Sequence, residues 1–360
     1  MIEEIELKYG VGALLYTPAN NEKISRYIQS EKFGKKYSLA LCLEDTISDY
    51  KVNDAENQLI KSMEEIYKAK IESDFFCPNI FIRVRNAQQI TDLYEKLNES
   101  RECLSGFIIP KYSVDNASEY NNAIISINSK SDKKVFMMPI LESKDIVNLA
   151  LRAQSLCKIK EAIDSVKEYV LNIRVGGNDF SNQFAVRRHI NEAIYDNMAI
   201  AQILSDIITV FSSDYVVSGP VWEYFDGEGD EWKIGLENEL KLDHLNGFIG
   251  KTVIHPNQIP VVNEALKVSR EDYEDALEII NWDENDTQVG KNNDGQRMNE
   301  VKTHYNWACK IVTLAKIYGR LVLLSLFATV TKFAMSHIII YSFQPNATNS
   351  FIKLHISLLM

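Results

Sequence analysis

The sequence predicts an α/β protein, a (β/α)8 TIM barrel with a C-terminal helical extension. Three observations carry that expectation. Eight short apolar runs occur without polar alternation, as parallel strands buried on both faces require. Polar segments with helical spacing separate them. Together they occupy about 260 residues, the size of such a barrel. A doubly wound open sheet is the alternative, but neither GxGxxG nor GxxxxGK[ST] occurs, which leaves classical dinucleotide or P-loop binding without its fingerprint.

The strands are expected at residues 13–17, 38–43, 80–84, 106–110, 135–141, 169–175, 214–218 and 247–250. Amphipathic helices are expected at 53–70, 117–128, 143–153 and 236–245, among others. The barrel domain is set at residues 1–283. A polar linker rich in Asp and Asn follows, leading into a helix between Met298 and Gly319 with a stripe of Val301, Tyr305, Ala308, Val312 and Ala315. Linker and appended helix make up 284–318. Residues 319–360 form an atypical apolar tail. No Asp or Glu occurs from 301 onward, and 321–343 is long and apolar enough to span a bilayer but for Lys332. A membrane role is therefore not the expected one.

Hydrophobic residues make up 46% of the 360 and charged residues 25%, which excludes a disordered or fibrous chain. The formal net charge of −11 argues against nucleic acid as a partner. Five cysteines follow no CxxC or metal-ligand spacing and read as free thiols. With an acidic N-terminus lacking an apolar run, the expected location is the cytoplasm.

In a barrel of this kind chemistry gathers where strands end. Polar residues stand at those positions here: Glu44 and Asp45 after the second strand, Arg83 and Arg85 at the third, Lys111 after the fourth, Glu142 after the fifth, Asp179 beyond the sixth and His255 after the eighth. Each has a structural alternative. Glu142 could cap a following helix, Asp179 could serve a turn, and Arg83 could be an ion-pair partner of Glu44 or Asp45. His255 fits a packed, hydrogen-bonded role, Lys111 and Lys251 fit salt bridges, and Arg187-Arg188-His189 fits a solvated loop. Trp222 to Trp232, rich in aromatic and acidic residues, suggests a lid after the seventh strand.

The motifs taken together resemble one family. Leu41-Cys-Leu-Glu-Asp-Thr46 with Lys51 resembles the "LDLEDxV…K" element of citrate lyase β-subunit-like enzymes in the HpcH/HpaI aldolase superfamily. Ile82-Arg-Val-Arg-Asn86 resembles that family's "VRVN" strand, and Gly106-Phe-Ile-Ile-Pro-Lys111 its "PK" strand. Pro139-Ile-Leu-Glu142 and Gly176-Gly-Asn-Asp179 resemble its two magnesium-ligand elements. Phe248-Ile-Gly-Lys-Thr-Val-Ile-His-Pro-Asn-Gln258 is similar to the long "GFxGKxxIHPxQ" signature. More narrowly, the chain resembles the carbon–carbon bond lyase branch associated with tellurite-resistance and stress-response gene clusters.

The resemblance implies a Mg²⁺-dependent carbon–carbon lyase or aldolase acting on a 2-oxo acid or related carboxylate through a metal-stabilised enolate. It implies Glu142 and Asp179 as metal ligands, and two carboxylates with positions left for water and substrate suit Mg²⁺. Arg83, with Arg85 and Lys111, would bind substrate carboxylate, and Arg83 with Glu44 or Asp45 would carry the catalytic charge and proton work. A homo-oligomer is implied as well. Departures from the family pattern include Cys42 in place of an Asp and Arg85 in place of an Asn. They weigh against an acyl-CoA partner more than against the metal chemistry, and the extra arginine favours a second anionic group on the substrate. The rival readings are a malate synthase-like condensing enzyme, which would need CoA contacts, and a non-catalytic barrel serving as a scaffold in a stress-response assembly.

Overall fold

A computed structural model describes residues 2–283 and 287–321. In it β1 (Ala13–Pro18) pairs in parallel with β2 (Ser38–Cys42) on one side and β8 (Lys251–Val253) on the other, which joins the first strand to the last. From β2 the ladder continues through β3 (Asn79–Arg83), β4 (Leu104–Ile109), β5 (Phe136–Leu141), β6 (Ile173–Val175) and β7 (Val217–Ser218), every neighbour parallel. A parallel bridge from Gly219 to Lys251 and the hydrogen bond from Ile249 N to Val217 O (2.8 Å) close the ring. The fold is a (β/α)8 barrel.

The helices are α1 (Ile2–Gly10), α2 (Ile24–Gln29), α3 (Val52–Glu72), α4 (Ala87–Lys96), α5 (Ala117–Asn128), α6 (Lys144–Val147) and α7 (Arg152–Asp164). They continue with α8 (Gly177–Gln183), α9 (Met198–Phe211), α10 (Glu231–Leu245), α11 (Gln258–Ala265), α12 (Arg270–Ile280) and α13 (Val301–Tyr318). Each strand alternates between two cores. Leu14, Ala40, Phe81, Ile108, Met138 and Ile140 fill the barrel interior, while Leu15, Leu39, Leu41, Ile80, Ile82 and Phe107 pack under the helices. That double burial is why the strands read as unbroken apolar runs.

Several expectations shift. The eighth strand begins at Lys251 rather than Gly247, because Gly247 (φ 93°) and Gly250 (φ 74°) take left-handed backbone that no extended strand permits. A β-carbon on Gly250 would lie 2.6 Å from Gly12 O, so this turn also needs the missing side chain. The helix expected over 143–153 divides into α6 and α7, since Asn148 is extended and its carbonyl caps the amides of Leu151 and Arg152. Strands six and seven are shorter than expected, residues 167–169 forming a 3₁₀ turn.

The expected linker contains a short antiparallel hairpin, β9 (Val289–Lys291) with β10 (Met298–Glu300). Arg297 ties it to α12 through Asp272 (2.8 Å) and Asp275 (2.5 Å). The appended helix is α13, but its buried face is Ala308, Ile311, Leu314 and Tyr318, whereas Tyr305 is exposed. The Tyr318 hydroxyl donates to Tyr9 O at 2.9 Å, so the extension clasps the N-terminal side of the barrel. Of the tail, residues 319–321 are described, and 322–360, with the apolar stretch apart from Leu321, lie outside the described residues. No helix among the described residues is long and apolar enough to cross a membrane.

Candidate active site

The carboxyl ends of the strands converge on a cavity of about 220 Å³ lined by Tyr16, Asp45, Arg83, Glu142, Arg174, Gly176, Asp179 and Thr252, among others. Parallel strands buried on both faces give their last inward side chains to one opening, so polar groups far apart in sequence meet there.

Arg83, the last residue of β3, is the hub. Its Nη2 lies 2.8 Å from Glu44, 3.0 Å from Asp45 and 3.5 Å from Glu142. Burial opposes its charge, but Tyr16, Glu142 and Glu44 outweigh that and raise its pKa. Lys111 brackets the same carboxylates, its Nζ 2.5 Å from Glu44 and 3.5 Å from Asp45. Lys111 adopts left-handed backbone (φ 50°), and its amide donates to Glu142 Oε1 at 2.9 Å. Asp45 is the exposed member, about half accessible. Burial works against its ionisation, yet the hydrogen bond with Glu44 and the charges of Arg83 and Lys111 hold its carboxyl below the usual range.

Glu142 follows β5 directly and is buried. Its pKa is pushed up to about 8, first by burial and then by the neighbouring Asp179 carboxyl, against the pull of Arg83 and the Lys111 amide. Two carboxyl groups pressed together so that one prefers its proton are a donor pair suited to a cation. Among the described residues no three His, Cys, Asp or Glu side chains form a cage. The pair fits Mg²⁺ all the same, because that ion keeps several waters and takes one or two protein carboxylates.

The structure also assigns the other candidates. It does not bring Arg85 into the cavity: its Nη1 donates to the carbonyls of Leu43 (3.2 Å) and Ile47 (3.1 Å), and Nη2 meets Asp49. The guanidinium holds the 43–49 loop, away from the residues that line this cavity. Arg188 is buried against Glu239 and Val221 O rather than solvated. His255 stacks on Phe225 (centroids 4.5 Å apart) and accepts from Asn257 N. The aromatic segment after β7 is pinned, with Trp222 Nε1 donating to Trp232 O and Gln258 Nε2 donating to the carbonyls of Trp222 and Tyr224. Sequence inspection passes over Arg174, whose signal was a charged residue inside the apolar run 169–175.

With this geometry in view, the family model for carbon–carbon bond lyases of the TIM-barrel fold matches residues 5–320. The chain belongs to that family. The mitochondrial citramalyl-CoA lyase of Rattus norvegicus is 25% identical over 285 residues, 78% of this chain and 78% of that one. Its Homo sapiens counterpart is 25% identical over 285 residues, 78% of this chain and 77% of that one. The solved CitE from Mycobacterium tuberculosis, in complex with magnesium, acetoacetate and coenzyme A, has a TM-score of 0.55 at 18% identity, covering 86% of this chain and 99% of that one. A citrate lyase from Burkholderia xenovorans LB400 has a TM-score of 0.63 at 13% identity, covering 87% and 94%. The two structures share the barrel fold with this chain, and the curated relatives are lyases.

Proposed function

We propose that the chain is a Mg²⁺-dependent lyase that breaks, or in reverse forms, a carbon–carbon bond next to a carbonyl in a small carboxylate such as a 2-oxo acid or its hydroxy-acid aldol. The observation that carries this reading is the paired Glu142 and Asp179 beside Arg83 at the barrel mouth. Glu142 and Asp179 would hold the metal, which when bound supplies Lewis-acid charge for the oxygen anion left as the bond breaks. Arg83 orients a substrate carboxylate and shares that charge. Asp45 lines the cavity and is kept ionised, so it takes the hydroxyl proton during cleavage, and the electron pair of the broken bond passes to the enolate fragment. Glu44, clamped between Arg83 and Lys111, positions those two cations.

A CoA thioester is the second reading for the substrate, favoured by the citramalyl-CoA lyase relatives. The motifs support the tellurite-resistance branch of the family. Five free thiols support a reducing, cytoplasmic compartment, and a homo-oligomer belongs to the same proposal.

Calorimetry on the full chain tests the reading. Mg²⁺ should bind, oxaloacetate should tighten that binding, and Glu142→Ala/Asp179→Ala should abolish it. A folded wild-type chain that binds no Mg²⁺ with or without the acid would remove the metal mechanism and favour the scaffold reading.

A further inference from the structure

The cavity holds two arginines in opposite electrostatic states. Arg83 has three carboxylates within 3.5 Å. Arg174, at the centre of β6 and 1% exposed, makes no ion pair among the described residues. Its Nη2 donates to Thr252 Oγ1 at 2.7 Å, its Nη1 reaches Asn172 Oδ1 at 3.5 Å, and its Nε has no acceptor among the described residues. The ionisable neighbour acting on it is the Tyr16 phenol.

A guanidinium cannot shed its proton to escape burial, so an unpaired one carries a desolvation cost of several kcal/mol. Closed neutral packing around it would waste that cost. Here Arg174, Tyr16 and Thr252 all line the cavity, so the unpaired charge borders space that a ligand can enter. At about 220 Å³ that space admits an acid of a few carbons.

We propose that Arg174 anchors a second anionic group of the substrate, a carboxylate besides the one held at the Glu142–Asp179 pair, and that the site therefore selects dicarboxylates over monocarboxylates. Thr252 and Asn172 position the guanidinium, and they leave some of its five N–H groups without an acceptor among the described residues. The inference rests on the lyase reading for the nature of the substrate, while the anion site itself stands on Arg174.

Malate and lactate, which differ by one carboxylate, are suitable probes of the full chain in the presence of Mg²⁺. Calorimetry should give malate a dissociation constant about tenfold or more below that of lactate, the worth of one charge-assisted hydrogen-bonded contact. Arg174→Met should weaken malate by about tenfold or more and lactate by less than about threefold. Arg174→Lys should keep part of the preference. Equal loss for both acids, or no preference in the wild type, overturns the proposal. Should Arg174→Met fail to fold, Thr252→Val keeps the charge and removes its orienting bond. It should then lower the malate preference several-fold, and an unchanged preference counts against the proposal. Mg²⁺ titration without acid separates the two readings. A chain that binds Mg²⁺ but does not prefer malate loses only the Arg174 anchor, whereas one that prefers malate without binding Mg²⁺ loses only the metal mechanism.

Discussion

A β-carbon placed on Gly176 would lie 2.1 Å from Glu142 Oε2 and 2.5 Å from the Glu142 β-carbon. The second contact cannot be relieved by rotating the carboxylate, because that atom is fixed by the β5 backbone. The glycine after β6 is thus what lets the two carboxylate-bearing strand ends approach. Gly176→Ala should cost about 1–3 kcal/mol in urea unfolding. It should also weaken Mg²⁺ by about tenfold or more in calorimetry, although no ligand is removed. Wild-type Mg²⁺ affinity in Gly176→Ala would show that Glu142 does not need this spacing.

Arg83 neutralises a cluster that is otherwise acidic. Among the described residues Arg83→Met leaves Lys111 as the cation paired with Glu44 and Asp45, and stability should fall by about 3–5 kcal/mol. Adding Glu44→Gln removes one of the carboxylates left behind and should recover part of that loss, giving a favourable coupling in a double-mutant cycle. Additive losses in denaturant unfolding would mean that the two residues do not interact as the 2.8 Å contact indicates.

Much of this site was legible because barrel strands announce themselves and their last residues are polar. Glu44, Asp45, Arg83, Lys111, Glu142 and Asp179 all stand beside strand ends, and the structure gathers them at one mouth. What sequence could not separate was inward from outward. Arg83 and Arg85 are two residues apart and share a strand direction, yet the chain bends after Val84 and Arg85 turns to the carbonyls of the neighbouring loop. The second arginine of the cavity comes instead from β6, where Arg174 was hidden by its apolar neighbours. Gly247 and Gly250 likewise disguised a turn as a strand, because glycine backbone angles leave no trace in hydropathy.

Lys251 joins the last strand to its helix. Fully buried, it lies 2.9 Å from Glu239 and 2.7 Å from Asp243 of α10, while Arg188 takes the other Glu239 oxygen and the Tyr195 hydroxyl donates to Asp243 at 2.7 Å. Burial raises the Asp243 pKa despite the pull of Lys251. Lys251→Met should cost about 3–5 kcal/mol in chemical denaturation. Lys251→Met/Asp243→Asn should regain a share of it, since the carboxylate left without its ammonium is then gone. A single variant as stable as the wild type would show that this network contributes nothing to barrel closure.

His244, at the end of α10, gives the fold a pH dependence of its own. Burial, with Lys310 and Lys251 nearby, pushes its pKa down to about 4, and its Nε2 has no partner among the described residues. The unfolded chain protonates this residue near pH 6.5 and the folded chain only near pH 4. Between those values the unfolded state binds more protons, so stability is intact above pH 6.5 and declines as pH falls toward 4. The expected loss across that window is about 1–3 kcal/mol. Urea unfolding of His244→Gln at pH 7.5 and pH 5 should show a smaller decline than the wild type, because the replacement cannot take up a proton. Parallel declines in the two proteins would place the acid sensitivity elsewhere in the barrel.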